Sequence, residues 1–224
     1  MIAVAAVFLA TVALVALVFL AAVRRAAPRR LGWTAVCLAA WLGLAFALAQ
    51  SGWLAGFDAR PPHFPLWIGV TACLTLGLAL SPLGARLAER TGWVGLIGFQ
   101  SFRLPVEWVL VALARAGVAP PQMTLYGWNF DVVTGVTAPV AAWLAATGRI
   151  GARGIALWNL LGLALLANVV TIALLSTPTP LRTFMNEPAN TFIAHWPWCW
   201  LPGFLVPAAL FGHVVAFRKL RRLR

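Results

Sequence analysis

The chain has 224 residues, 62% of them hydrophobic and 10% charged, with 17 Lys and Arg against 5 Asp and Glu. Apolar runs of about 20 residues recur from end to end, which excludes a soluble globular domain and leaves little length for one beside the membrane segments. The net charge of +12 is segregated to one set of connections, which reads as a membrane-topology signal and not as a nucleic-acid footprint.

The first apolar run, 2–23, has no basic residue before it, and its charges follow it. It therefore reads as a retained helix and not as a cleaved signal peptide. Further spans fall at 33–54, 64–84, 93–118, 131–148, 155–176 and 196–217. Each is expected to be helical, because a bilayer offers no solvent to unpaired backbone groups and the polar alternation of a barrel strand is absent. The pattern predicts an all-α polytopic integral membrane protein of about seven transmembrane helices, a single domain over 1–224.

Connections on one side of these spans carry Arg24, Arg25, Arg29, Arg30, Arg86, Arg90, Arg149, Arg153 and the tail from Arg218 onward. The other side carries only Arg60, Arg115 and Arg182. The positive-inside rule then predicts an outside N-terminus and a cytoplasmic C-terminus, with the basic tail against anionic headgroups. Ala39, Gly43 and Ala47 in the second span, and Gly92, Gly95 and Gly98 at the start of the fourth, have spacings that let helices approach closely.

The fourth span holds the most unusual feature. Gln100, Arg103 and Glu107 stand at i, i+3 and i+7, on one helical face. At 1.5 Å per residue, Arg103 lies about 15 Å and Glu107 about 21 Å from the inner end, near mid-bilayer. Membrane-buried charges are costly, so the pair is a functional-site candidate by default. Arg103 and Glu107 can bond within the helix and brace the bundle. A polar cavity is the favoured reading, since a buried ion pair stabilises little better than an apolar substitute. Pro105, between them, frees a carbonyl near Ser101 and is expected to kink the helix.

The connections opposite the basic ones are longer: Ser51–Pro65, Ala119–Phe130 and Ser176–His195. Their Pro, Asn and Gly content marks turns. The last is expected to fold over the outer face against Ser51–Pro65. Trp53, Trp67, Trp128, Trp196, Trp198 and Trp200 read as an interfacial aromatic belt. Asn129 or Asp131 can cap the fifth span, and both stand above the mouth of the expected cavity. Thr134 and Thr137 continue that line. Asn168 in the sixth span matches Glu107 in depth and is expected to face it. Asn159 and His213 are expected to pair separately, nearer the inner end.

His63 and His195, with Asp58, Glu187 or Asp131, are the only candidates for a metal, and no HExxH or other tight spacing supports them. Cys37 and Cys199 lie on opposite sides, so no disulfide framework is expected. The only lysine, Lys219, is in the tail, so no retinal Schiff base can form. No phosphate-binding glycine loop and no nucleophile elbow is present. The sequence names no cofactor.

The block Phe99–Glu107, followed by Gln122-Met123-Thr124 and Gly127-Trp128-Asn129-Phe130-Asp131, resembles a stretch found in a group of uncharacterised bacterial multi-pass membrane proteins. The resemblance implies a bacterial inner membrane and no particular activity. The resulting expectation is a polar intramembrane site of Gln100, Arg103, Glu107, Asn129, Asp131 and Asn168. It would open to the outer face and bind or transport a small polar or anionic molecule or a lipid headgroup. Two other readings stand beside it. One is a membrane-embedded enzyme with Glu107 or Asp131 as general base, which requires His63 and His195 to converge with Asp131. The other is a non-catalytic partner subunit, which requires Arg103 to face outward.

Overall fold

A computed structural model describes residues 1–222, which contain helices and turns and no strand. Six of the helical segments are long and apolar enough to cross a membrane: Ile2–Ala26, Pro28–Gln50, His63–Leu80, Trp93–Arg115, Ala152–Leu175 and Leu201–Arg221. The seventh apolar helix, Val132–Ala146, has 15 residues. That is about 22 Å, short of a hydrocarbon core of roughly 30 Å.

Helix α1 (Ile2–Ala26) leads through a 3-10 turn, Pro28–Arg30, into α2 (Leu31–Gln50). Then come α3 (His63–Leu80) and a short α4 (Pro82–Arg90), where the sequence suggested only a basic loop. Ser81 starts α4, its hydroxyl accepting from the N–H groups of Leu83 and Gly84 at 3.1 and 3.4 Å, with Pro82 fitting the first turn. Leu83 and Leu87 are buried while Arg86 and Arg90 are exposed, so α4 is an amphipathic helix on the basic side.

The fourth span divides into α5 (Trp93–Gly98), a 3-10 turn Phe99–Phe102, and α6 (Arg103–Arg115). The tightened turn lies where Pro105 deprives the Ser101 carbonyl of its helical donor. The span ends at Arg115, short of the expected Val118, because Gly117 takes a left-handed φ of 69° that closes the helix. Helices α7 (Val132–Ala146), α8 (Ala152–Leu175) and α9 (Val206–Arg221) complete the bundle. A π turn, Leu201–Leu205, precedes α9. Pro207 has no N–H for the Gly203 carbonyl, and Trp41 Nε1 donates to it instead at 2.8 Å. On the basic side, Arg218 donates to the carbonyls of Ala79 and Ser81, tying α9 to the end of α3.

The main core joins Phe8 of α1, Phe64 of α3, Leu110 and Leu113 of α6 and Leu205. Phe8 meets Trp198 with ring centroids 5.0 Å apart. The aromatic belt is only partly realised. Trp128 and Trp196 are exposed, whereas Trp67 and Trp198 are 4% and 8% exposed, and Trp67 stacks on Trp41 at 5.0 Å. Hydrophobic burial inside the bundle outcompetes an interfacial position for these two. The small-residue face of α2 also departs from expectation. Ala39, Gly43 and Ala47 are exposed and mediate no close helix approach within the chain. Gly98 does, its missing Cβ falling 3.6 Å from the Ala142 methyl carbon.

The Ser176–His195 connection does fold down, burying Phe192, Ile193 and Ala194. Its hydrogen bonds beyond itself, however, go to α8, to Gln122 and to Cys199, and among the described residues none goes to Ser51–Pro65. Gln122 Nε2 donates to Ser176 Oγ at 2.9 Å and Asn186 Nδ2 to Gln122 Oε1 at 2.7 Å. Arg182 donates to Glu187 at 2.8 Å and holds that carboxyl below its usual range.

Candidate functional site

The stripe of Gln100, Arg103 and Glu107 points into the bundle, with Arg103 2% and Glu107 3% exposed. Arg103 therefore does not face outward, as a docking stripe would require. Its ion pair among the described residues is not with Glu107, four residues along the helix, but with Asp131. The Arg103 guanidinium is nearly saturated. Nε donates to Gln100 Oε1 at 3.2 Å, Nη1 to the Asp131 carboxylate and toward the Gly162 carbonyl at 3.5 Å, and Nη2 to His213 Nε2 at 2.9 Å. Since Nε2 accepts, His213 carries its proton on Nδ1, which donates to Asn159 Oδ1 at 2.7 Å. Asn159 Nδ2 donates back to the His213 carbonyl at 3.0 Å. Gln100 Nε2 donates to the Ala209 carbonyl at 3.1 Å. The Asn159–His213 pair is thus one end of the Arg103 network and not a separate contact.

Glu107 is held differently. Asn129 Nδ2 donates to both carboxylate oxygens, at 2.8 and 2.9 Å, and to the Met123 carbonyl at 2.9 Å. Asn129 Oδ1 accepts the Asp131 N–H at 2.9 Å. This corrects the capping expectation: Asn129 closes a local turn, and the Asp131 side chain makes no cap bond, because Arg103 takes its carboxylate.

These contacts fix the depth of α7. Arg103 is about 15 Å from the Trp93 end of its span and about 18 Å from the Arg115 end. Asp131, immediately before α7, lies against it. The segment Pro120–Asp131 therefore descends to mid-depth, and α7 needs only 15 residues to run back to the basic side. Irregular backbone at membrane depth is tolerated where protein covers its polar groups; Gln122, Met123, Thr124, Asn129 and Asp131 are buried, while the apolar and aromatic side chains of Leu125, Tyr126, Trp128 and Phe130 are exposed. Gly127 packs so closely on Gln122 Cα, 2.5 Å from where a Cβ would stand, that a side chain there would force the backbone apart.

A cavity of about 60 Å³ touches Arg103, Glu107 and Asp131 on its polar wall, room for a few waters. Phe64, Leu166 and Leu205 form its apolar wall, with Met123 and Ile193 toward the long connections. Glu107 also lines a surface groove with Leu104, Trp108, Arg115 and Tyr126. Thr134 is buried with its hydroxyl unpartnered by protein. Thr137 Oγ1 accepts from Trp158 Nε1 at 2.9 Å.

Asn168 does not face Glu107. Its Nδ2 donates to the Trp128 carbonyl at 2.8 Å, since the descending segment has no helical donor for that oxygen. His63 and His195 do not converge with Asp131. His63 stacks on Trp53 at 4.3 Å, with Nδ1 2.9 Å from the Trp53 carbonyl, and His195 is exposed. Among the described residues, no three His, Cys, Asp or Glu side chains gather as a metal would need. The Gly162 carbonyl, and the bond from Arg103 to His213, are additions that no sequence spacing announced. Gly162 is required there, since a Cβ would fall 2.6 Å from His213 Cε1.

The fold and this network define a helical, membrane-embedded protein with a polar centre shared by α6, α7, α8 and α9. Residues 61–221 match the family described as Domain of unknown function (DUF8737), and the chain belongs to that family. The matched region contains the whole network, whereas α1 and α2 precede it. No curated protein and no solved structure matches the chain.

Proposed function

We propose that this protein binds or transports a small polar solute within the bilayer, and that Glu107 is the group that meets it. One observation carries the reading. Among the described residues, Glu107 is a carboxylate held only by the neutral Asn129 amide, and it borders both the internal cavity and the surface groove. Arg103 is a poor anion receptor, because its donors are already committed to Gln100, Asp131, Gly162 and His213. The solute is therefore a proton donor or a small cation, such as a protonated amine, in place of the anion that a free Arg103 would attract.

The test is labelling in membranes with dicyclohexylcarbodiimide, an apolar reagent that reaches carboxyls from the hydrocarbon. Intact-mass measurement is expected to show one adduct, lost in Glu107→Gln and kept in Glu187→Gln. No adduct, or one that survives Glu107→Gln, refutes access to this carboxyl.

The proposed setting is a bacterial inner membrane crossed seven times, with α7 and the descending segment together making one crossing. The N-terminus is then outside and the C-terminus cytoplasmic. Support comes from the charge asymmetry and from α4, whose exposed Arg86 and Arg90 share a side with Arg24, Arg25, Arg29 and Arg30. A C-terminal green fluorescent protein fusion is expected to be fluorescent and a C-terminal alkaline phosphatase fusion inactive. The opposite pair of results overturns the topology.

A further inference from the structure

Helix α2 is pinned to the bundle over only part of its length. Its buried residues are Ala45 and Ala49. Trp41 Nε1 donates to the Gly203 carbonyl at 2.8 Å, and Trp200 Nε1 to the Leu42 carbonyl at 3.0 Å. All of these contacts lie from Trp41 onward. On the basic side, from Leu31 to Leu38, no residue of α2 is buried. The helix stands away from α3 and α9 there and leaves a groove of about 400 Å³, within the range of ligand sites.

The groove has the dimensions and chemistry of one lipid leaflet. It extends from Arg30, at the end of the turn before α2, to Trp41 of α2, about 16 Å at 1.5 Å per residue, against roughly 15 Å for half a hydrocarbon core. Leu38, Leu74, Leu78 and Phe211 contribute to an apolar wall. Among the described residues, Arg30 is the one charged residue on the lining, and none of them brings a carboxylate to it. Arg30 is exposed, and Trp33 stands beside it on the lining, as interfacial Trp does at headgroup level. Neighbouring charge has the same sign: Arg24, Arg25, Arg29 and Arg86 lie on this side, where the one acid, Glu89, is 3.4 Å from Arg222.

We propose that this groove is a binding site for one anionic glycerophospholipid of the leaflet on the basic side. An acyl chain lies between α2 and α3/α9, and the headgroup phosphate is paired with Arg30. A membrane lipid fits better than a soluble ligand because the groove lies at the depth of the lipid tails and its only charge is at the headgroup end. The site is independent of Glu107.

The experiment is native mass spectrometry of the full chain in detergent, titrated with phosphatidylglycerol or phosphatidylcholine of the same acyl chains. One phosphatidylglycerol is expected to be retained in preference to phosphatidylcholine. Arg30→Ala is expected to lower its retention about fivefold, the effect of one interfacial arginine. Thr34→Trp, which fills the groove from the α2 side without touching charge, is expected to abolish specific retention. Arg29→Ala, off the lining, is the control and is expected to change little. Equal retention of the two lipids overturns the proposal, as does an Arg29→Ala loss equal to that of Arg30→Ala, which would mean diffuse attraction only. Full retention in a folded Thr34→Trp protein overturns it as well, by showing that the headgroup binds without the groove. If Thr34→Trp fails to fold, Ala208→Leu fills the groove from the α9 side and is read the same way.

Discussion

Arg103→Gln is expected to destabilise the protein by about 3–5 kcal/mol, because it leaves the Asp131 carboxylate buried without its cation. Asp131→Asn alone is expected to be similarly costly, stranding the guanidinium. The double variant Arg103→Gln with Asp131→Asn removes both charges and should recover a large part of the loss, since neutral amides at these positions carry no uncompensated charge. The exchange Arg103→Glu with Glu107→Arg should fail, because it sets a second carboxylate against Asp131. Unfolding midpoints in detergent, read by fluorescence-detected size exclusion, measure all four. A single Arg103→Gln as stable as the parent, or a double variant no better than either single, would remove Arg103–Asp131 as the main electrostatic tie between α6 and α7.

The second large effect falls on a residue without a side chain. In Gly162→Ala the new Cβ would lie 2.6 Å from His213 Cε1 and 3.1 Å from Thr134 Cγ2. Overpacking of this kind costs about 1–3 kcal/mol, and displacing His213 also loosens its bonds to Arg103 and Asn159. Gly43→Ala is the contrast: nothing lies within 4 Å of its Cβ position, so it should shift stability by less than about 0.5 kcal/mol. His213→Ala clears the space, so the double variant with Gly162→Ala should be less destabilised than the two losses added. Strict additivity would mean that Gly162 and His213 do not press on each other.

Apolar length and composition alone determined that this chain is helical and suited to a membrane, because a bilayer forces backbone groups to pair within each segment. They also marked Gln100, Arg103 and Glu107, since three polar side chains on one face of a long apolar helix must turn inward. The partners were decided by tertiary structure. Arg103 and Glu107 have the right spacing to bond, yet Arg103 goes to Asp131 and Glu107 to Asn129. The reason is that Pro120–Asp131 descends into the bundle, and whether a connection stays at the surface or descends depends on the protein around it. Asn168, matched to Glu107 by depth, serves the Trp128 carbonyl instead. Periodicity along one helix specifies which face is polar. Which atoms meet across that face depends on how far each neighbouring segment penetrates and in which direction it is turned, and packing of the whole bundle sets both.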